Sequence, residues 1–402
     1  MSTSLIYHTQ GLREYKYIST KYNGSEVHIN IEQKKELLRC VDCGSKNISA
    51  VKIKTRKIKG LPVGTKKTIF LVRIRRLICF DCGAEKQEAI PCTPSEKARY
   101  TKSMVRTVLE LRPKMSIKDV AVFLGLHWDT VKDIEKKYLK KKFSKIRLKN
   151  VKVIGIDELH TGNGFITIVR DLESGSVLHV GDGKGGVSLD GFVRRLRSSK
   201  CKIKAVALDL GRAYSAWAKK NLPGARIVYD HFHLIKLMNE KLDTLRRKTM
   251  NDADEEMKQH LKNKRFLFLR NEESLDEDSA IELDKLKLLF EDLGVATFMK
   301  ECLRRIYSLA TDEHMAELAF EYWCKLADES GIQCLKTMAK SIRRHINGIL
   351  AYWGERQLTS AGMEGFNNKV RWLIRQAYGY RDDEYFKLKI FDLPNVKISK
   401  DL

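Results

Sequence analysis

The alternation of apolar and polar positions in the middle of the chain predicts a sheet with crossover helices. Five apolar runs have the length of β-strands: 151–159, 165–172, 176–182, 204–210 and 225–230. Helical periodicity follows the last three runs, at 188–198, 212–221 and 231–247. The pattern therefore indicates a three-stranded meander followed by strands that are reached through helical crossovers.

The pattern changes after residue 250. Between 250 and 357 no convincing strand occurs, and charged amphipathic stretches such as DEHMAELAFEYWCKLADES (312–330) predict helices. Another strong helix is predicted over 360–380. A β-β-β-α-β-α-β-α order is typical of a ribonuclease-H-like α/β core, so we expect such a core, interrupted by an all-helical insertion.

Ahead of the sheet, residues 92–116 have a helical pattern, and 116–143 predict a helix-turn-helix. Ala121, Gly125 and Val131 stand where that motif needs a small residue, a turn glycine and a β-branched residue. We expect five apolar residues in its core: Ile117, Val120, Leu124, Leu126 and Ile134. The recognition helix would open with Trp128, Asp129, Thr130 and Lys132. An ordinary helical hairpin is the alternative; the basic surroundings favour DNA binding.

Two cysteine pairs near the N-terminus predict a metal site. Cys40 and Cys43 lie in CVDCG, and Cys79 and Cys82 lie in CFDCG. Four thiolates in two such knuckles, each relaxed by a following glycine, suit a tetrahedral structural Zn²⁺. The alternating apolar and basic residues between the pairs predict a β-hairpin that turns at Gly-Leu-Pro (60–62), so we expect a basic zinc ribbon. Four unrelated free thiols are the alternative.

Taken together, the patterns predict a multidomain α+β protein. Its expected parts are an N-terminal region with a zinc ribbon (1–92), a helix-turn-helix domain (93–147), the first part of a ribonuclease-H-like core (148–249), a helical insertion (250–357) and the last part of the core (358–402). A basic linker, YLKKKFSKIRLKN (138–150), would join the second part to the third.

The charge balance indicates a polyanionic partner. Lys and Arg number 76 against 51 Asp and Glu, which gives a formal net charge of +25. Nucleic acid is the first expectation for such an excess, ahead of a merely solvated basic surface or an acidic membrane face. Because the chain has no apolar run long enough to span a bilayer and no secretion signal, we expect a cytoplasmic protein. The other five cysteines are scattered, which excludes a disulfide framework.

Three acidic residues are the candidate catalytic and metal-binding residues. In the predicted sheet the first strand lies beside the strand that follows the first helix, and these carry Asp157 and Asp209. Carboxylates at such apolar positions need a partner, and Mg²⁺ prefers oxygen ligands. Glu364 is the best third acid, with Glu355 as a rival, and Glu158 should point to the opposite face. The Glu364 helix would present Asn368, Arg371 and Arg375 to a DNA strand.

The stretch DHFH resembles a metal site but is predicted to flank one. Asp230 follows a strand and opens a helix, where its side chain can cap free amide groups. Asp230 and His233 lie one helical turn apart, so they can share a face near the acids. Capping and packing are the simpler roles; an accessory role beside the catalytic acids is favoured.

The segments VIGIDE, ALDLGRAYSAWAKKNLPGARIVYDHFHLIKLMNEKLDTLRR and SAGMEGFNNKVRWLIRQAYGYRDDEYFKLKI resemble the DDE transposases of bacterial insertion sequences in the ISL-three group. The resemblance covers nearly the whole chain. It implies that the catalytic acids are Asp157, Asp209 and Glu364, and that Asp230–His233 is the family's Asp-(Arg/His)-Phe-His signature.

The resemblance also implies a mechanism. Two Mg²⁺ ions (or Mn²⁺) would serve hydrolysis at the element's ends, and the freed 3′-hydroxyl would attack target DNA. The ribbon and helix-turn-helix would read the terminal inverted repeats of double-stranded DNA, and a homodimer or larger assembly is expected. A structure-specific nuclease of the same fold and a non-catalytic DNA-binding regulator are the alternatives.

Overall fold

A computed structural model describes residues 3–354 and 361–395. The chain divides into two compact units between Ser144 and Lys145. Each unit has its own hydrophobic core.

The first unit contains a mixed sheet and four helices among its described residues. Its elements are, in chain order, α1 (Thr3–Gln10), β1 (Tyr15–Asn23), β2 (Glu26–Gln33), β3 (Ile48–Val63), β4 (Lys66–Cys79), β5 (Glu85–Gln87), α2 (Lys102–Leu111), α3 (Ile117–Leu124) and α4 (Trp128–Lys142). The strand order is β1-β2-β4-β3, and β5 pairs with β4. Alternate residues of β2, such as Ile29 and Ile31, are buried, as expected for a strand with one face on the core.

The long hairpin between the cysteine pairs is present, but its predicted turn at residues 60–62 is wrong. The chain reverses at Gly64, whose φ of +60° suits glycine, between the paired residues Val63 and Lys66. Gly60 lies inside β3, next to an irregularity in the pairing. A Cβ there would come within 2.2 Å of the Phe70 ring, so this glycine serves packing and not the turn.

The helices α2, α3 and α4 enclose a small apolar core. Ser116 caps α3, which ends at Gly125 with φ of +64°, and α4 begins three residues later. The predicted core is confirmed: Val120, Leu124 and Ile134 are buried, and Ile117 and Leu126 pack against them. Two extents were wrong. Residues 92–101 precede the first helix, and the supposed linker from 138 is helical through Lys142, with Leu139 buried in its helical part.

The second unit contains the predicted sheet. Its elements are β6 (Val153–His160), β7 (Phe165–Asp171), β8 (Val177–Asp182), α5 (Asp190–Ser199), β9 (Ala205–Leu208), α6 (Arg212–Asn221), β10 (Arg226–Tyr229), α7 (His231–Asp252), α8 (Glu255–Leu261), α9 (Arg265–Leu269), α10 (Glu277–Leu289), α11 (Glu291–Leu309), α12 (Glu313–Glu329), α13 (Gln333–Gly354), α14 (Ala361–Gln376) and α15 (Asp383–Asp392). The strand order is β10-β9-β6-β7-β8. Strands β6, β7 and β8 are antiparallel neighbours, whereas β9 and β10 run parallel to β6.

Different helices pack against the two faces of this sheet. Ile154 and Ile156 of β6 belong to a large core that extends into the helices after α7. Leu159 belongs to a smaller core that includes Phe366 of α14 and Phe386 of α15. Because side chains alternate along a strand, Gly155 and Asp157 lie on the α14 side. The strand pleat therefore assigns the first candidate acid to the face that α14 covers.

The predicted helical segment is confirmed for its described part, 250–354, which contains no strand. Its last helix, α13, returns to the edge of the sheet, where Gly348 allows close contact with Tyr229. Arg226 of β10 also pairs with Glu313 at 2.7 Å. Among the described residues, none of the helices is long and apolar enough to cross a membrane.

Candidate functional site

The four cysteines of the two knuckles converge. Their sulfur atoms all lie within 4.8 Å of one another. The Sγ atoms of Cys40 and Cys82 are 3.6 Å apart, and those of Cys43 and Cys79 are 3.5 Å apart. A zinc ion with Zn–S distances of about 2.3 Å holds its sulfurs about 3.8 Å apart, so the cluster fits a structural Zn²⁺.

The two knuckles have the same backbone geometry. The amide of Gly44 donates to the carbonyl of Cys40, and the amide of Gly83 donates to that of Cys79, each at 3.0 Å. Both glycines have a positive φ, which glycine adopts without strain. Backbone N–H groups of the first knuckle lower the pKa of the Cys40 thiol to about 7, which favours the thiolate that binds metal.

Asp157 and Asp209 are brought to the same level of the sheet. The last parallel pair between β6 and β9 is Gly155 with Ala207. Asp157 lies two residues after Gly155, and Asp209 lies two residues after Ala207. Burial raises the pKa of Asp157 to about 6, and the negative charge of Asp209 acts in the same direction. The two carboxyl groups therefore repel each other, and a cation between them would relieve that repulsion.

One residue of the DHFH stretch, His233, contacts a candidate acid. His233 Nε2 lies 2.6 Å from Asp209 Oδ1. Burial lowers the pKa of His233, but the hydrogen bond and the charge of Asp209 outweigh it and raise the pKa above its usual value. His233 is therefore a partner of a candidate acid.

The other residues of that stretch have different surroundings. Asp230 is 4% exposed and caps α7, because its side chain accepts a hydrogen bond from the amide of Phe232 at 3.0 Å. The ring of His231 packs against Tyr307 and Tyr352, in the helical segment after α7. Within this stretch, His233 is the residue that pairs with Asp209.

The third predicted acid, Glu364, is exposed in the first turn of α14. The predicted DNA-facing residues Asn368, Arg371 and Arg375 are exposed on the same helix, and Arg371 donates to Asn368 at 2.7 Å. Among residues 3–354 and 361–395, only the four cysteines form a group of three or more possible ligands within 4.8 Å. The three acids therefore do not all lie that close together. The rival, Glu355, falls outside the described residues.

Asn367 was not among the predicted site residues. It lies on the buried side of α14, and its Nδ2 donates to Asp157 Oδ2 at 2.5 Å. The signal was available: Met363, Phe366 and Val370 form an apolar stripe at helical spacing, and Asn367 is a polar residue on that stripe. Glu158 behaves as predicted, since its neighbour is Tyr214, on the opposite face of the sheet from Asp157.

The predicted recognition residues open α4 in the first unit. Trp128 is 51% exposed, and Lys132 lies over its ring at 5.8 Å from the centroid. Thr130, two residues after Trp128, is partly exposed. An exposed aromatic ring beside a lysine at a helix N-terminus can contact both bases and phosphates of DNA.

Two family models match this chain. The family model of the ISL3 DDE type, described as Transposase, matches residues 154–390. A second model, described as the zinc-finger of transposase IS204/IS1001/IS1096/IS1165, matches residues 36–82.

Curated relatives match along nearly their whole length. The transposase for insertion sequence element IS1001 of Bordetella parapertussis is 30% identical, over 91% of each chain. The transposase for insertion sequence element IS1557 of Mycobacterium tuberculosis is 25% identical, over 90% of this chain and 87% of the relative.

Among solved structures, the Drosophila P element transposase strand transfer complex aligns with 74% of this chain and 92% of that one. That alignment has 12% identity and a TM-score of 0.34. The family model covers more than half of the chain, and the IS1001 relative is matched almost end to end. The chain therefore belongs to the ISL3 family of insertion-sequence transposases.

Proposed function

We propose that this transposase cuts and joins DNA through a DDE site formed by Asp157, Asp209 and Glu364. The observation that carries the proposal is the register of β6 and β9, which places Asp157 level with Asp209. The raised pKa of Asp157 fits a site that is completed by a divalent cation, Mg²⁺ or Mn²⁺. The strand order β10-β9-β6-β7-β8 supports a ribonuclease-H-like core, made of 148–249 and 358–402 around the insertion.

The three acids would hold two divalent ions. When bound, such ions would polarise the scissile phosphate and lower the pKa of an attacking water. Hydrolysis at an element end breaks a P–O bond and leaves a 3′-hydroxyl. That hydroxyl then attacks a phosphodiester of target DNA, so one bond forms as another breaks. His233 would keep the Asp209 carboxylate in place during both steps, while Asp230 holds the start of α7.

The exposed face of α14 would guide the DNA strand. Arg371 and Arg375 are cationic and lie on the same helix as Glu364, four residues apart from each other. Arg371 donates a hydrogen bond to Asn368, and both side chains are exposed. Contacts of this kind neutralise phosphates and bring no sequence preference, so they would position DNA rather than select it.

Selection of the terminal repeats would fall to the first unit. We propose that α3 and α4 form a helix-turn-helix, with the sharp turn at Gly125 and with Trp128, Thr130 and Lys132 at the DNA. The zinc-bound ribbon would add contacts through the basic strand β3, whose residues 49–55 are exposed. Because two element ends must be joined, we propose that a homodimer or larger assembly acts.

The test is a joining assay with the full chain, labelled DNA from the element ends, a target plasmid and Mg²⁺ or Mn²⁺. Joined products are expected, and Asp157→Asn, Asp209→Asn and Glu364→Gln should each abolish them. Glu158→Gln is the matched control, since it removes a neighbouring charge on the other face of the sheet. Cleavage without joining would favour a nuclease, and tight binding without cleavage would favour a regulator.

A further inference from the structure

The helix α14 is fixed to the sheet by an apolar stripe with one polar member. Met363, Phe366 and Val370 are buried in the core beneath it. Asn367 is equally buried, with 3% of its surface exposed. An amide at such a position is unusual because its polar atoms lose contact with water.

One end of the Asn367 side chain contacts a candidate acid. Its Nδ2 donates to Asp157 Oδ2 at 2.5 Å, and the other oxygen of Asp157 accepts the amide of Glu158 at 2.7 Å. Both oxygens of the Asp157 carboxylate are thus held by donors from two different elements. The carboxylate cannot turn without breaking one of these hydrogen bonds.

The other end of the side chain works against stability. Asn367 Oδ1 is buried and accepts no hydrogen bond from any described residue. A buried acceptor without a donor destabilises the folded protein, and an apolar residue of similar size would avoid that cost. Packing alone therefore does not explain an asparagine here, whereas its contact with Asp157 does.

Asn367 also lies close to Glu364 on α14. Residues three apart on a helix are neighbours on its surface, so Glu364 borders Asn367 at the rim of the buried stripe. Gly155 allows the close approach, since a Cβ there would lie 2.8 Å from the side chain of Met363. We infer that Asn367 is a positioning residue that orients Asp157 and fixes α14, and with it Glu364, for metal binding. The inference rests on the proposed DDE site.

The test compares two substitutions at this position with a matched control. Asn367→Leu removes the amide and the buried acceptor together, and Asn367→Asp keeps the shape but removes the Nδ2–H donor. Asn239→Leu on α7 is the control, because its Oδ1 is also buried without a partner. Thermal unfolding, Mn²⁺ titration of the zinc-loaded full chain, and end cleavage as a function of Mn²⁺ are measured for each variant.

We expect Asn367→Leu to need about 10- to 100-fold more Mn²⁺ for half-maximal cleavage, as is common when a group that orients a metal ligand is lost. Asn367→Asp should show a loss in the same direction, and Asn239→Leu should keep the parent's metal dependence. If Asn367→Leu lowers stability and leaves the metal dependence unchanged, Asn367 serves packing and the inference fails.

The Asp157→Asn variant distinguishes failure of the proposed DDE site from failure of the positioning role of Asn367. If it loses cleavage while both Asn367 variants retain the parent's metal dependence, the DDE site stands and the positioning role is rejected. If Asp157→Asn itself cleaves normally, the proposed site is wrong. Should Asn367→Leu fail to fold, the isosteric Asn367→Asp variant decides the question by the same measurements.

Discussion

A buried ion pair in the three-helix body of the first unit allows a quantitative prediction. Arg112 ends α2, and its Nε donates to Glu135 Oε2 of α4 at 2.7 Å. The two side chains are only 9% and 5% exposed. Removing one member of such a pair leaves the other charge buried, which destabilises a protein by about 3–5 kcal/mol. We therefore expect Glu135→Leu to lower the free energy of unfolding of this unit by that amount.

The double variant Arg112→Met/Glu135→Leu separates the pair from its surroundings. Replacing both charges with apolar residues is often neutral or stabilising, so the double variant should recover most of the loss. Urea unfolding of the zinc-loaded full chain is followed with a probe on the first unit, and terminal-repeat binding is measured in parallel. A loss below about 1 kcal/mol for Glu135→Leu, which is the range of exposed ion pairs, would contradict the expected cost of leaving Arg112 buried without its partner.

Three further outcomes are expected. Cys40→Ser should release zinc and weaken binding to element ends; zinc content per chain measures this, and unchanged content contradicts the cluster. His233→Ala should slow end cleavage without abolishing Mn²⁺ binding, so an unchanged cleavage rate would remove its accessory role. Gly155→Ala places a methyl group 2.8 Å from Met363 Cγ and should destabilise the chain by about 1–3 kcal/mol in urea unfolding. The control is Gly365→Ala on α14, the helix that carries Met363. Nothing lies within 4 Å of a Cβ at Gly365, so this substitution should not destabilise the chain.

Local chemistry in the sequence was enough to predict several parts of this protein. The paired cysteines with their following glycines predicted both knuckles, because four thiolates at that spacing typically bind a structural zinc ion. The turn glycine and apolar spacing predicted the α3–α4 pair, including its buried residues. The order of apolar runs predicted the strands of the second sheet and the side-by-side position of β6 and β9, because neighbouring strands follow from connection rules.

Other features depend on contacts between distant residues. The hairpin turn lies at Gly64 and not at Gly60, because Gly60 is required where the Phe70 ring packs. The supposed linker 138–150 is helical through Lys142, and its Leu139 is buried, which the basic composition of the segment did not indicate.

The same is true of Asn367, whose importance follows only from α14 packing across β6. A sequence pattern records which positions are apolar, but it does not record which polar residue meets which acid. That pairing is decided when helix and sheet pack, since the contact joins residues 210 positions apart.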